Sequence, residues 1–232
     1  MGAWRELSVA EDFLLLTWHD DKGKDTYTGS SRMLMAGAHV IDLALAELVT
    51  VEDGKLVTTA GAAPQDALHA HLLDQIRGDT KPRKVSKWMN RWGRDTQVRQ
   101  AAPDRLAERG ILRAEGRRII GLFPVIRYPV ADVAAANEVR GRVGDVLVSD
   151  DEPSPRDGAL AGLAATGGSK LVTRLVGKSD RKAALQRGKR LAKEGVSSDV
   201  ADAVQEAQAA AMAAITAAAA ASSVSSASGS GS

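Results

Sequence analysis

A mainly α-helical single domain with two short β-hairpins is the fold class that this 232-residue sequence predicts. Three observations carry that expectation. Apolar residues recur at helical spacing over much of the chain, as in the Leu68, Leu72, Leu73 and Ile76 face of residues 65–77. One stretch, RMLMAGAHVIDLALAELV at residues 32–49, is apolar on nearly every side, as a helix enclosed by others must be. Twice a helical pattern runs straight into a β-branched strand and an acidic-Gly turn, in LALAELVTVEDGKLVT and in RLAERGILRAEGRRIIG.

In chain order, residues 1–6 are a short lead. Ser8 with Glu11 then has the spacing of a capping box and predicts a helix from Val9 to Trp18, with Phe13, Leu14 and Leu16 on its buried face. HDDKGKDTYTGSS reads as a polar loop. Residues 32–49 are the expected central core helix, with Gly37 and Ala38 small enough to admit a neighbour. Asp53-Gly54 joins two β-branched runs into a hairpin. A helix over 65–77 follows, another runs through KVSKWMNRW after Pro82, and a third is expected to open at Pro103-Asp104 and end at Gly110. The second hairpin comes next, with Glu115-Gly116 read as its turn. Helices are predicted over 131–147, from Pro155 past Gly167-Gly168, through the basic SDRKAALQRGKRLAKE, and from Ser198 or Asp199 to about Ala221. The Ser/Gly/Ala composition of 222–232 reads as a disordered tail, which leaves 7–221 as the domain.

Composition excludes several classes. There is no cysteine, hence no disulfide or thiolate metal site, which fits a reducing cytoplasm. The first residues lack the basic flank and the length of a signal peptide, and no window approaches the roughly 20 apolar residues of a membrane span. Any membrane contact is therefore expected to be peripheral, on the cytoplasmic face.

The formal charge of +2 hides a strong segregation, because thirteen basic residues face five acidic ones between Arg77 and Arg118. That is the footprint of a surface that meets phosphates. At its end lies RGILRAEGRRIIGLFPVIRYPV, a basic hairpin whose apolar run (Ile119, Ile120, Leu122, Phe123, Val125 and Ile126) is costly to leave in water. Tyr27 sits in a polar loop ahead of the helix that carries Arg32, and an aromatic there makes a wall for an anion site.

No catalytic or metal constellation emerges. GLAATGGSK, residues 162–170, misses the phosphate-loop pattern, since Gly168 stands where lysine is required. His69 and His71 are two apart, so on a helix they point to different faces and read as surface histidines. Asp20, Asp21, Asp150, Asp151 and Glu152 read as solvated turn residues. Trp18 and Trp88 read as core residues. No enzyme activity, cofactor or metal is expected.

The order of LSVAEDFLLLTWHDDKGK, GAHVIDLALAELVTVEDGKLV, KPRKVSKWM, RLAERGILRAEGRRIIGLFPVIRYPV and RDGALAGLAATGGSKLVTRL resembles the Golgi phosphoprotein 3 (GPP34) family in its bacterial branch, over about residues 7–205. The resemblance implies a central helix bundle ringed by amphipathic helices, docking peripherally on membranes. Eukaryotic members bind phosphatidylinositol 4-phosphate and retain Golgi glycosyltransferases. Their head-group pocket, a tryptophan and three arginines, falls here on Tyr27, Ala36, Thr96 and Arg99, so one arginine and an aromatic ring are kept. Each lost arginine removes charge-assisted contacts of about 1.5–3 kcal/mol, and strict selectivity for that lipid is not carried over. Arg32, one turn before Ala36, supplies a replacement cation.

The expected function is recognition of anionic phospholipid head groups through Tyr27, Arg32 and Arg99, with Lys81, Arg83 and Lys84 extending the basic face. The hairpin is expected to serve membrane contact or self-association. Leu122 and Phe123 would enter the acyl boundary, while Arg117, Arg118 and Arg127 stay among head groups. A membrane-protein client and a homo-oligomer are the further partners expected. The rival readings are a winged-helix-like nucleic-acid binder and a lipid-independent adaptor. The helix before the hairpin offers a groove only Arg105 and Arg109, with no Asn or Gln placed to read bases, which disfavours nucleic acid.

Overall fold

The capping box at Ser8 opens α1 (Val9–Thr17): Ser8 Oγ accepts from the Glu11 N–H at 3.1 Å, and Glu11 accepts from the Ser8 N–H at 2.7 Å. The computed structural model describes residues 7–25, 31–60, 63, 64, 66–117, 125–194 and 209–215. After α1 come the two-residue strands β1 (Trp18–His19) and β2 (Lys24–Asp25), then α2 (Ser31–Leu45). The hairpin β3 (Val49–Glu52) and β4 (Lys55–Thr58) turns at Asp53-Gly54, both at positive φ, as a two-residue loop requires. α3 (Ala67–Arg77) precedes β5 (Arg83–Lys84), which pairs with β4 as a third strand. α4 (Val85–Trp92) and α5 (Thr96–Glu108) lead into β6 (Glu115–Arg117) and β7 (Val125–Arg127). α6 (Val133–Val148), α7 (Pro155–Thr166) and α8 (Ser169–Glu194), interrupted at Gly177, follow, and α9 covers residues 209–215.

α1 is the axis of the bundle: all nine of its residues are buried, and it packs on α2, α5, α6 and α7. The expected centre, α2, is one of the layers around it. Gly37 of α2 does admit neighbours, since a Cβ there would lie 3.2 Å from both Met89 of α4 and Ile215 of α9.

Burying the first turn of α1 buries two carboxylates, Glu11 and Asp12, which is tolerable only if they are paired. Glu11 Oε1 lies 3.0 Å from Arg105 Nε on α5, with Arg109 beside it, and Asp12 is bonded by Arg142 of α6 and Arg156 of α7. A third carboxylate, Asp42 of α2, accepts from the backbone N–H groups of Val9 at 2.6 Å and Ala10 at 3.1 Å. It thus satisfies two donors that a helix start leaves free.

Four expectations are corrected. α5 opens at Thr96, capped by Asp95, and Pro103 lies inside it, although proline is favoured at a helix start. Glu115 and Gly116 are in β6, paired with Arg127 and Ile126, and so are not the hairpin turn. HDDKGKD holds the small β1–β2 hairpin, too short to leave an alternation in sequence. Asp20 lies in the expected turn, but it is not merely solvated: it forms an ion pair with Arg140 of α6.

Two buried groups on α2 titrate in opposite senses. Burial pushes Asp42 up to about 7, outweighing its two N–H donors, and burial pushes His39 down to about 4. The raised carboxyl contributes stability that is greatest in acid and is lost as pH climbs from about 4 to 7. The depressed imidazole contributes stability present above about 6.5 and lost as pH falls towards 4. The slopes oppose one another in one window. In urea denaturation, Asp42→Asn should steepen the loss of stability on acidification from pH 6.5 to 4, by up to about 1.4 kcal/mol per pH unit. His39→Gln should change the slope the other way.

Candidate functional site

A pocket of about 330 Å³ opens where the starts of α2 and α5 meet the ends of α1 and β7. α2 contributes Ser31, Arg32 and Met35, so the positive end of its dipole lines the wall. α5 contributes Arg99, Gln100 and Pro103; Arg99 and Pro103 are four apart and share a helix face. Pro103 has no N–H, so the Arg99 carbonyl lacks its helical donor. β7 and its exit contribute Ile126 and Tyr128, two apart and therefore on one side of the strand.

Among the described residues no carboxylate lines this pocket, and two cations do. Arg32 is exposed and Arg99 half-buried. Neither has an ion-pair partner among the described residues, whereas Arg105, Arg140, Arg142 and Arg156 are all paired. Arg99 Nε is buried with no hydrogen-bond partner among the described residues. An unpaired guanidinium N–H in a partly desolvated wall favours an anion that accepts from it.

The walls are tied to the core. Trp18 Nε1 donates to the Tyr128 carbonyl at 2.7 Å, and Arg174 of α8 donates to the Trp18 carbonyl at 2.9 Å. The Tyr128 N–H donates to the Gly23 carbonyl at 3.2 Å. Gly23 sits at φ +55, and a Cβ there would lie 2.6 Å from the Tyr128 and Pro129 backbone, so only glycine fits. Tyr128 Oη donates to Asp104 at 2.6 Å. Burial, with the Asp104 carboxylate beside it, pushes this phenol up to about 12, so it remains a donor at any physiological pH.

The family model for Golgi phosphoprotein 3 (GPP34) matches residues 9–215. The chain belongs to the Golgi phosphoprotein 3 family. No curated protein matches it in a sequence search. Of the positions that the resemblance sets against a head-group pocket, Ala36 is buried in α2, one turn after Arg32, and Thr96 is exposed at the start of α5. Tyr27 lies outside the described residues, in the segment between Asp25 and Ser31.

The structure thus brings Arg32 and Arg99 into one pocket and sets Lys81, Arg83 and Lys84 elsewhere. Lys81, Arg83 and Lys84 are exposed around β5, and Arg83 is paired with Asp79, so it is not a free cation. β5 lies at the start of α4, while the end of that helix, Gly93, packs beside the Arg32 backbone; eight residues, about 12 Å, separate the two. Arg127 is half-buried in β7, opposite Glu115. Arg117 is placed in β6 by its backbone only, and Arg118, Leu122 and Phe123 lie outside the described residues. Of the apolar run, Ile126 is 56% exposed at the pocket.

Trp18, Gln100 and Tyr128 were not singled out as site residues. The spacings Ile126/Tyr128 and Arg99/Pro103 carry the signal, but only once strand and helix are known. His69, read as a surface residue, is 8% exposed and lies against Asp66, which caps α3. Among the described residues no group of three or more His, Cys, Asp or Glu could hold a metal ion, and no helix is long and apolar enough to cross a membrane.

Tyr128→Phe should lower stability by about 1.5 kcal/mol, the value of a hydrogen bond to a carboxylate. In a spectrophotometric titration, the difference between the wild type and this variant should show a tyrosinate step near pH 12.

Proposed function

We propose that this domain binds the surface of anionic membranes peripherally, taking a phospholipid head group between Arg32 and Arg99, and that it has no enzymatic activity. The observation that carries the reading is that two arginines with no ion-pair partner among the described residues share one pocket, lined by no carboxylate among those residues, and that one of them has a buried N–H with no acceptor among them. Membership of the Golgi phosphoprotein 3 family supports it. So does Ile126, an exposed apolar residue at the same opening, which suits an amphiphile better than a free anion. The cytoplasmic leaflet, with its anionic lipids, is the surface this chemistry fits. A membrane-protein client and self-association through the β6–β7 hairpin are the partners we propose alongside it.

Vesicle flotation with increasing anionic lipid tests the reading. Arg99→Glu and Arg32→Glu should each weaken binding by roughly tenfold or more, as the loss of a charge-assisted contact implies, with urea midpoints unchanged. Binding by the wild type should also fall between low and physiological salt, where the Debye length shrinks to about 8 Å. Vesicle binding that survives both reversals would overturn the proposal.

A further inference from the structure

A second concave surface lies at the other end of α6. The groove, about 740 Å³, runs between the last turn of α6 and the part of α8 beyond Gly177. Apolar residues line one part of it: Ala183 is exposed, Val148 is 53% exposed, and Leu147 lies buried behind them. Lys189, Arg190 and Lys193 stand along its α8 side, all exposed and without an ion-pair partner among the described residues. A fourth cation, Arg187, is already committed, since its Nε donates to the Val146 carbonyl at 2.7 Å at the end of α6. The wall is rigid. A Cβ at Gly188 would lie 2.4 Å from Ala165 Cβ of α7, so the opposite face of the helix is seated directly on the core.

We infer that this groove is a docking surface for an acidic amphipathic helix of a partner protein. Gln186, Lys189 or Arg190, and Lys193 repeat at three- to four-residue spacing, which is the spacing of carboxylates along one side of a docked helix. Val148 and Ala183, exposed beside these cations, meet that helix's apolar stripe. Asp150 and Asp180 also line the groove, and they would repel a chain carrying a phosphate at every unit, whereas a peptide can set its acidic residues opposite the lysines alone.

α6 starts just after Val130, whose N–H bonds to the Asp20 carbonyl beside the anion pocket, and ends at the groove sixteen residues later, about 24 Å away. The groove and the anion pocket are therefore separate sites, one towards each end of α6.

The test uses the full chain and a fluorescein-labelled synthetic helix with leucines on one face and glutamates beside them, read by anisotropy. A peptide of the same composition in scrambled order, duplex DNA and phosphatidylserine vesicles are measured in parallel. The inference expects saturable binding of the patterned helix, weaker binding of the scrambled one, and a loss of roughly tenfold or more in both the Lys189→Glu/Arg190→Glu double variant and Val148→Asp. Arg99→Glu should leave peptide binding unchanged. Equal binding of both peptides, no binding, or insensitivity to both groove variants would overturn it. So would DNA or vesicle binding that the groove variants abolish while the patterned helix does not bind. Circular dichroism melts of each variant establish that it is folded before binding is compared.

Discussion

The start of α1 is the constraint on which the rest of the molecule depends. A helix buried on all sides brings its unpaired N–H groups and its two carboxylates, Glu11 and Asp12, into a medium that tolerates neither. Each neighbouring helix supplies part of the remedy: α2 sends Asp42 to the Val9 and Ala10 N–H groups, α5 sends Arg105 to Glu11, and α6 and α7 send Arg142 and Arg156 to Asp12. The negative charges also lie at the positive end of the α1 dipole. Removing any arginine leaves a buried carboxylate short of charge. The geometry of four helices is therefore fixed at one point, and not by apolar packing alone.

That fixed point positions the pocket. α5 turns Arg105 inwards to Glu11 and, six residues earlier, presents Arg99 to the opening. The opposite wall is held from the far end of α1. Trp18, its C-cap, donates to the Tyr128 carbonyl, and Tyr128 in turn reaches Asp104 on α5. Both walls thus refer back to the same helix. The arginines that build the core are consumed in ion pairs, and those at the pocket are not, which separates structural from available cations within a chain rich in both.

Much of the fold was legible because local chemistry and tertiary demand agree. The Ser8–Glu11 capping box, the Asp53-Gly54 turn and the periodic faces of α2 and α3 each follow from a few adjacent residues. What the sequence hid was non-local. Asp12 and Asp42 look like interruptions in apolar helices until their partners, Arg142 and Arg156 for the one and the start of α1 for the other, are seen in space. Pro103 reads as a helix start because proline is favoured there, yet Asp95 caps the helix eight residues earlier. Glu115-Gly116 resembles a turn, but its strand is too short to announce itself. The two arginines of the pocket stand in stretches whose character was readable, while Tyr128 joins them only through its hydrogen bond to Asp104 of α5.

The central claim is that Arg32 and Arg99 act on one anion. It is tested most directly by following the side-chain Nε–Hε resonances of both arginines by NMR while a soluble head-group probe, glycerol 3-phosphate, is added to the folded protein. If the pocket works as its geometry indicates, both resonances shift along a single saturation curve, with Arg99, whose Nε is buried and has no acceptor among the described residues, moving further, and inorganic sulfate at the same ionic strength competes. Movement of one resonance alone, or two curves with different midpoints, would contradict the account.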